Sequence, residues 1–293
     1  MTSQIAIATC DAFVDGWHED LLLVEALAAR GAAAAIRSWS DADVDWAGFD
    51  ATVLRSTWDY PMRRDEFLSW VERVPRLHNP APVVRHNSDK RYLAELAAAG
   101  LPVVPTEFYG PDQPVRLPGG EFVLKPSVGA GSKGAARFAG DQAGEAERAR
   151  VHAAHLQEQG RTVMVQPYLT EVDTRGETAL IFIDGRFSHA IEKSALLPPN
   201  AQYALTDPGL AADVFVSEVI KPRTPTAAEL ALAEAILAAW PAGDRLLYAR
   251  VDLLPSPNGP VLIELELTEP SLFLDQDEAA PGRLADAVLA RLA

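Results

Sequence analysis

The segment FVLKPSVGAGSKG, residues 122–134, holds the most informative group of side chains in the chain. Its apolar start predicts a buried strand that carries Lys125, and the loop after it contains Gly129, Gly131 and Gly134. Glycines let several backbone N–H groups approach one anion, and a lysine in an apolar strand is costly to bury without a partner. We therefore predict that Lys125 and the loop bind phosphate. The alternative is an edge lysine whose ammonium group reaches solvent.

Two later segments, YARVDLL and LIELEL, alternate apolar and charged residues, which is typical of strands with one polar face. Arg250 and Asp252 share a face of the first strand, and Glu264 and Glu266 share a face of the second. Converging carboxylates suit Mg²⁺, because the cation neutralises their repulsion. The alternative is a solvated polar face that Arg250 partly neutralises. Together with the phosphate prediction, the acids point to ATP chemistry.

The register of this hairpin decides whether the acids meet. A two-residue turn at Asn258-Gly259 would place the acids of the two strands on opposite faces. An odd-length loop centred on Asn258 would instead oppose Asp252 to Glu264 and bring the other polar pair together as well. Three prolines near the turn cannot donate ladder hydrogen bonds, which favours the longer loop.

A second hairpin is indicated by Asp184-Gly185, a strong turn signal between two apolar runs. On a two-residue turn, Glu177 would face Glu192, and Lys193 would lie on the other side of the sheet. Glu177 and Lys193 enter one site only if a bulge intervenes or the edge of the hairpin curves. We keep both as site candidates.

Composition narrows the classes of function. The chain has 293 residues, a net charge of −15 and one cysteine, Cys10. This acidity argues against a nucleic-acid surface, and a single cysteine excludes an intrachain disulfide. The N-terminus lacks the basic and apolar regions of a signal peptide, and no apolar run reaches the roughly 20 residues of a membrane helix. We expect a cytoplasmic protein that binds neither nucleic acid nor membrane.

The N-terminal third predicts an open α/β sheet of the doubly wound type. Its elements are strands at 5–9, 32–39 and 49–55 and a helix at 19–30. Ligands collect at the carboxyl ends of such strands, where we place Arg55, Ser56 and Trp58 as candidate contacts of an acceptor substrate. The alternative is that Trp58 packs in the core and Asp59 caps the next helix.

Beyond residue 80, helical and strand patterns alternate irregularly. Asn79-Pro80-Ala81-Pro82 predicts a hinge, because proline disfavours a continued helix and stiffens a linker. The predicted helices are 88–99, 141–159, 224–240 and one near 283–292. The predicted strands are 103–109, 121–125, 162–169, 177–183, 186–193, 246–254 and 261–267.

In this order, the segments SDKRYLAELAAAGLPVVPT, FVLKPSVGAGSKG, VMVQPYL, RGETALIF, YARVDLL and LIELELTEP resemble the ATP-grasp enzymes over most of the chain. VLRSTWDY and VDTRGET resemble the ligases of cycloserine biosynthesis and their glutathione-synthetase-like bacterial relatives. The resemblance implies an ATP-grasp fold, which combines α/β with an α+β lid. Its parts would be an N-terminal open α/β domain (1–80), a central lid region with the glycine-rich loop (81–170) and a C-terminal antiparallel-sheet domain with the metal site (171–293).

The resemblance also assigns roles to individual residues. It implies that Glu177 contacts the ribose, that Lys193 and Arg250 are catalytic cations at the phosphates, and that 166–169 hold adenine through main-chain groups. The implied ATP-binding residues are Lys90, Lys125, Ser127, Gly129, Gly131, Ser132, Gln166, Pro167, Tyr168, Leu169 and Glu177. The implied Mg²⁺ ligands are Asp252, Glu264 and Glu266. Many relatives have asparagine at the position of Glu266, so this chain carries one extra negative charge there.

We therefore predict an ATP-dependent ligase that forms a C–N bond on an amino-acid-like substrate in antibiotic biosynthesis. An acyl-phosphate-type intermediate would form first, and a nitrogen would then attack it while ADP and phosphate leave. The attack could close a ring within one molecule or join two molecules, as in a dipeptide ligase. The remaining alternatives are an ATP-binding module without turnover and a structural protein without nucleotide. The resemblance also implies a homodimer.

Overall fold

Three β-sheets organise the part of the chain that this computed structural model describes, namely residues 2–195, 197, 219–241 and 246–292. Their strands fall in three successive stretches of sequence, 4–78, 107–167 and 177–266. The first sheet is parallel and the other two are antiparallel. This mixture of parallel and antiparallel sheets confirms the predicted fold class.

The first sheet is the predicted open α/β unit. Its strands are β1 (Gln4–Thr9), β2 (Ala33–Ser38), β3 (Ala51–Leu54) and β4 (Leu77–His78), in the order β2-β1-β3-β4. Its helices are α1 (His18–Ala28) and α2 (Arg64–Arg73). Helix α2 is an addition to the predicted elements, and Phe67, Leu68 and Val71 give it a buried helical face.

The segment predicted as a hinge is an anchor. Asn79 is fully buried, and its amide nitrogen donates to the carbonyl oxygens of Tyr248 (2.9 Å) and Leu267 (2.8 Å). Its side-chain oxygen accepts from the backbone N–H of Leu247 (2.6 Å). A side chain with three buried hydrogen bonds holds its segment in place, so the hinge prediction is wrong. The predicted single helix at 88–99 is replaced by α3 (Ala81–Asn87) and α4 (Tyr92–Ala98).

The second sheet carries the glycine-rich loop. Its strands are β5 (Glu107–Tyr109), β6 (Glu121–Pro126), β7 (Ala136–Ala139) and β8 (Val163–Pro167), in the order β5-β8-β6-β7. Helix α5 (Glu145–Glu158) covers one face, where Leu156 packs with Phe122 and Phe138. The loop joins β6 to β7, so both of its ends are held by paired strands.

The third sheet carries the charged strands. Its strands are β9 (Glu177–Ile183), β10 (Arg186–Lys193), β11 (Ile220–Pro222), β12 (Tyr248–Leu254) and β13 (Val261–Glu266), in the order β11-β10-β9-β12-β13. The remaining helices are α6 (Val172–Arg175), α7 (Ala227–Ala239) and α8 (Ala280–Ala290).

One hydrophobic core joins the first sheet to the third. Ile7 of β1 and Leu27 of α1 belong to the same buried cluster as Ile181 of β9 and Val288 of α8. The N-terminal unit is therefore packed directly on the sheet that carries the acids, which stabilises their relative positions. None of the described helices is long and apolar enough to cross a membrane.

Candidate active site

A cavity of about 530 Å³ lies where residues associated with the three sheets converge. Most side chains that the sequence singles out line it. They are Trp58, Lys90, Lys125, Gly129, Gly131, Ser132, Gln166, Pro167, Tyr168, Leu169, Glu177, Lys193, Arg250, Asp252, Glu264 and Glu266. Ser127, Arg55 and Ser56 are not among the lining residues.

The acids of β12 and β13 face one another in the favoured register. Asp252 is opposite Glu264, and Arg250 is opposite Glu266. The expected odd-length loop does not produce this register. Leu254 pairs with Val261, and the loop between them is even in length. The register shifts by one residue after Asp252, where a bulge intervenes in β13. This bulge puts the acids of both strands on the same face.

A bulge also brings Glu177 and Lys193 together. Phe187 pairs with Phe182 but His189 pairs with Ile181, so Ser188 is the extra residue in β10. Lys193 is consequently opposite Glu177, and the two side chains form an ion pair. The condition set by the sequence, that both enter one site only through a bulge or a curved edge, is therefore met.

Each acid of the hairpin contacts a buried cation. Asp252 lies 2.9 Å from Lys193 Nζ and 2.8 Å from Arg250, which also pairs with Glu266. Glu264 lies 3.0 Å from Lys90 Nζ. Burial opposes ionisation of Asp252 and Glu264, but the neighbouring cations hold the pKa of each carboxyl below its usual range.

Glu266 behaves differently from the other two acids. Burial raises the pKa of Glu266 to about 7, with Arg250 opposing the shift and the charges of Glu264 and Asp252 adding to it. Crowded carboxylates of this kind favour an added cation.

The predicted Mg²⁺ ligands suit the ion in chemistry and in their common face. Carboxylate oxygens are the ligands that Mg²⁺ prefers, and the trio lines one wall of the cavity. Among the residues that the structure describes, no three His, Cys, Asp or Glu side chains are already placed to hold a metal together. The acids instead form ion pairs with Arg250, Lys193 and Lys90. The metal assignment stays a prediction.

Two lysines face the acids with different partners. Lys90 Nζ donates to the carbonyl oxygen of Gly129 (2.8 Å) besides pairing with Glu264. The ammonium group of Lys125 has no hydrogen bond or ion pair with any described residue. Burial lowers the pKa of Lys125, with Glu264 opposing the shift and Lys90 adding to it. A half-buried cation without a counter-ion at a cavity wall is well suited to a phosphate.

The glycine-rich loop has left-handed backbone at three positions. Gly131, Ser132 and Gly134 have φ of 60°, 59° and 76°. Glycine adopts this conformation at little cost, whereas it is uncommon for serine. Gly129 is not in the left-handed region, so its glycine is not needed for positive φ. Ser127 is buried at the base of the loop, where its backbone pairs with Thr162 and Lys90.

The segment 166–169 is supported from behind by residues that the sequence did not single out. Arg137 lies over the Tyr168 ring, 3.5 Å from its centroid, and pairs with Glu121 and Asp173. The backbone N–H of Tyr168 donates a hydrogen bond to the carbonyl oxygen of Glu121 (2.9 Å). Within the described residues the Leu169 N–H has no acceptor, so it remains available to a ligand.

The predicted acceptor contacts divide into two groups. Trp58 lines the cavity, and its Nε1 donates to the Glu269 carbonyl oxygen (2.9 Å). Arg55, in contrast, is only 1% exposed and bonds to Glu19 (3.0 Å) and the Pro270 carbonyl oxygen (2.8 Å). Ser56 is equally buried and bonds to Asp20. Arg55 and Ser56 therefore lie behind the cavity wall, which corrects their placement as direct substrate contacts.

Glu269 is the main cavity residue that sequence reasoning missed. It is 7% exposed and follows the predicted metal strand within Thr268-Glu269-Pro270. Burial, with the nearby charge of Glu266, raises the pKa of its carboxyl well above the usual range. Its local sequence carries no burial signal, because the loop is buried by its contacts with Trp58 and Arg55.

Comparison with known proteins gives consistent results. Residues 5–79 match the family model described as the N-terminal domain of D-cycloserine synthetase DcsG. The chain is 39% identical over 288 residues to cycloserine biosynthesis protein DcsG of Streptomyces lavendulae, with 92% of each chain covered. The crystal structure of D-cycloserine synthetase DcsG superposes with a TM-score of 0.86 at 37% identity, covering 99% of this chain and 100% of that one.

More distant structures share the fold. An ATP-grasp RimK domain protein of Sphaerobacter thermophilus matches at 19% identity and a TM-score of 0.66, covering 98% of this chain and 100% of that one. D-alanine–D-alanine ligase of Bacillus anthracis matches at 15% identity with the same TM-score, covering 99% and 97%. At these identities the likeness shows the ATP-grasp architecture and nothing finer.

Proposed function

This chain belongs to the DcsG family of ATP-grasp carbon–nitrogen ligases, and from that premise we propose that it activates the carboxyl group of an amino-acid-derived substrate with ATP and closes a C–N bond within the same molecule. The observation that carries the proposal is the meeting of Lys125 with Asp252, Glu264 and Glu266 around one cavity. A cation without a protein counter-ion and a set of acids are the two components that phosphoryl transfer requires.

In the first step, a substrate carboxylate oxygen attacks the γ-phosphorus of ATP, and the bond to the β-phosphate bridging oxygen breaks. ADP leaves and an acyl phosphate forms. Lys125, Lys90 and the N–H groups of the glycine-rich loop would bind the phosphates, and Arg250 and Lys193 would offset charge that develops there. The Leu169 N–H would donate a hydrogen bond to an acceptor nitrogen on the adenine edge, and Glu177 would contact the ribose.

Asp252, Glu264 and Glu266 would hold Mg²⁺, which when bound neutralises phosphate charge. Arg250 and Lys193 contact these acids, which supports a position for both cations beside the transferred group. Positioning and neutralisation carry the rate in such transfers, and no protein base has to be assigned.

In the second step, a nitrogen of the same substrate attacks the acyl carbon, loses a proton and expels phosphate. Closure of the glycine-rich loop would exclude the water that otherwise hydrolyses the acyl phosphate. The relatives named for cycloserine biosynthesis support the ring-closing form. The second candidate is an intermolecular ligase of the dipeptide type, supported by the shared fold with D-alanine–D-alanine ligase.

Phosphate release from Mg·ATP, measured across a panel of amino-acid-derived carboxylates, tests the proposal. We expect phosphate and ADP in equal amounts. The product mass should equal that of one acceptor less one water, as ring closure requires. A product mass equal to two acceptors less one water would establish the intermolecular ligase. ATP binding without phosphate release from any acceptor would establish a binding module. We further propose a homodimer, which light scattering of the purified protein would test.

A further inference from the structure

Glu269 faces the cavity without a partner. Its side chain is more than nine-tenths buried, and its carboxylate makes no hydrogen bond or ion pair with any described residue. Its carboxylate oxygens are not among the side-chain atoms that are fully enclosed and lack a hydrogen-bond partner. Its carboxylate therefore opens onto the cavity and is not sealed inside the protein.

The two cations whose charges act on the Glu269 carboxyl, Lys90 and Arg250, are committed to other groups. Lys90 contacts Glu264 and the Gly129 carbonyl oxygen. Arg250 contacts Asp252, Glu266 and the Ser271 carbonyl oxygen (3.1 Å). A buried carboxylate without a neutralising cation is strongly disfavoured, so the ionised form of Glu269 requires a cation that a ligand in the cavity would supply.

The backbone that presents Glu269 is held from outside the cavity. Trp58 Nε1 donates to the Glu269 carbonyl oxygen (2.9 Å), and Arg55 donates to the carbonyl oxygen of Pro270 (2.8 Å). The rings of Trp58 and Tyr60 line the same cavity. Aromatic faces beside a fixed carboxylate form a suitable site for an organic ammonium group.

We propose that Glu269 binds the primary ammonium group of the acceptor substrate and so selects acceptors that carry one. The inference rests on the proposed function, since it places the acceptor in the cavity that also holds ATP.

The test compares two probes that differ only in this amine, D-cycloserine and isoxazolidin-3-one. Binding to the wild-type protein with Mg·ADP is measured by calorimetry at about pH 6.5, below the pKa of an α-amino group. We expect the wild type to prefer D-cycloserine by about 10- to 100-fold, as a charge-assisted hydrogen bond predicts. Glu269→Gln should bind both probes about equally, and Glu269→Asp should keep part of the preference.

The control is Glu278→Gln, which removes the same charge from an exposed residue that makes no hydrogen bond or ion pair with any described residue. It should retain the wild-type preference. Thermal stabilisation of Glu269→Gln by Mg·ATP should equal that of the wild type, which shows that the variant is folded and binds nucleotide. A wild type that discriminates between the probes but releases no phosphate would refute the proposed function and keep this inference. The inference about Glu269 would be overturned if the wild type bound the two probes equally or bound neither of them. It would also be overturned if Glu269→Gln lost ATP affinity while its discrimination between the probes stayed unchanged.

Discussion

Lys193 Nζ lies 2.9 Å from Asp252 Oδ2 although their strands, β10 and β12, are not neighbours. Strand β9 runs between them, and its Glu177 pairs with the same ammonium group. One lysine thus connects the acid predicted at the ribose with an acid predicted at the metal. Its position depends on the single extra residue, Ser188, in β10.

Deleting Ser188 should move Lys193 to the opposite face of the sheet. The deletion removes the bulge, so Glu177 and Asp252 both lose their shared cation. Removing one partner of a buried ion pair costs about 3–5 kcal/mol, and we expect a loss in the free energy of unfolding of about that size, measured by urea titration. Ser188→Ala keeps the bulge and is the control. An unchanged stability of the deletion variant would contradict the role of the bulge.

Asp252→Asn and Glu264→Gln should each lower kcat for phosphate release by at least about 100-fold, because each removes a proposed ligand for the cation that neutralises the phosphates. Circular dichroism should show that the fold survives. Turnover at the wild-type rate in either variant would remove that residue from the metal site.

Lys125→Met should leave the protein without nucleotide at least as stable as the wild type, because it replaces a half-buried cation that has no counter-ion among the described residues. The same variant should lose most of the thermal stabilisation that Mg·ATP gives the wild type. Melting curves with and without Mg·ATP measure both effects. Lys221→Met, on the exposed edge strand β11, should behave like the wild type in both. Full ATP stabilisation of Lys125→Met would exclude the phosphate role.

Arg137→Lys should raise KM for ATP several-fold with a smaller effect on kcat. Lysine cannot reproduce the planar contact with Tyr168 together with the two ion pairs, so the segment 166–169 should lose its support. Steady-state kinetics at varied ATP concentration give the two constants. Arg150→Lys, on the exposed face of α5, is the matched control. An effect on kcat alone would disagree with a positioning role.

Acid should destabilise the native state through buried histidines. Burial lowers the pKa of His152, whose ring bonds to the Gly134 carbonyl oxygen (2.9 Å) at the end of the glycine-rich loop. The unfolded state then binds more protons, so this contribution to stability is present above the unfolded pKa of about 6.5 and is lost as pH falls towards the lower native pKa. Free energies of unfolding at several pH values should show this slope, and it should be shallower in His152→Gln. Equal slopes would contradict the assignment.

Much of the site could be predicted because alternating strands and ordered motifs are local properties. The pairing of Asp252 with Glu264 was anticipated, but the bulge that produces it was not, since a bulge depends on how two backbones meet. Helix α2 had a readable signal in its acidic first turn and its apolar spacing. The local sequence contained no signal for the burial of Arg55 and Glu269, because contacts between residues more than 200 positions apart create that burial.

The contacts of Trp58 and Arg55 with the loop after β13 have a consequence for protein engineering. A chimaera that exchanges only the first 80 residues with those of a relative would separate two segments that hold each other in place. Transplanting residues 268–273 together with the N-terminal segment keeps the Trp58 indole and the Arg55 guanidinium paired with the carbonyl groups of the same protein. Recombination breakpoints for new specificities are best chosen on that basis.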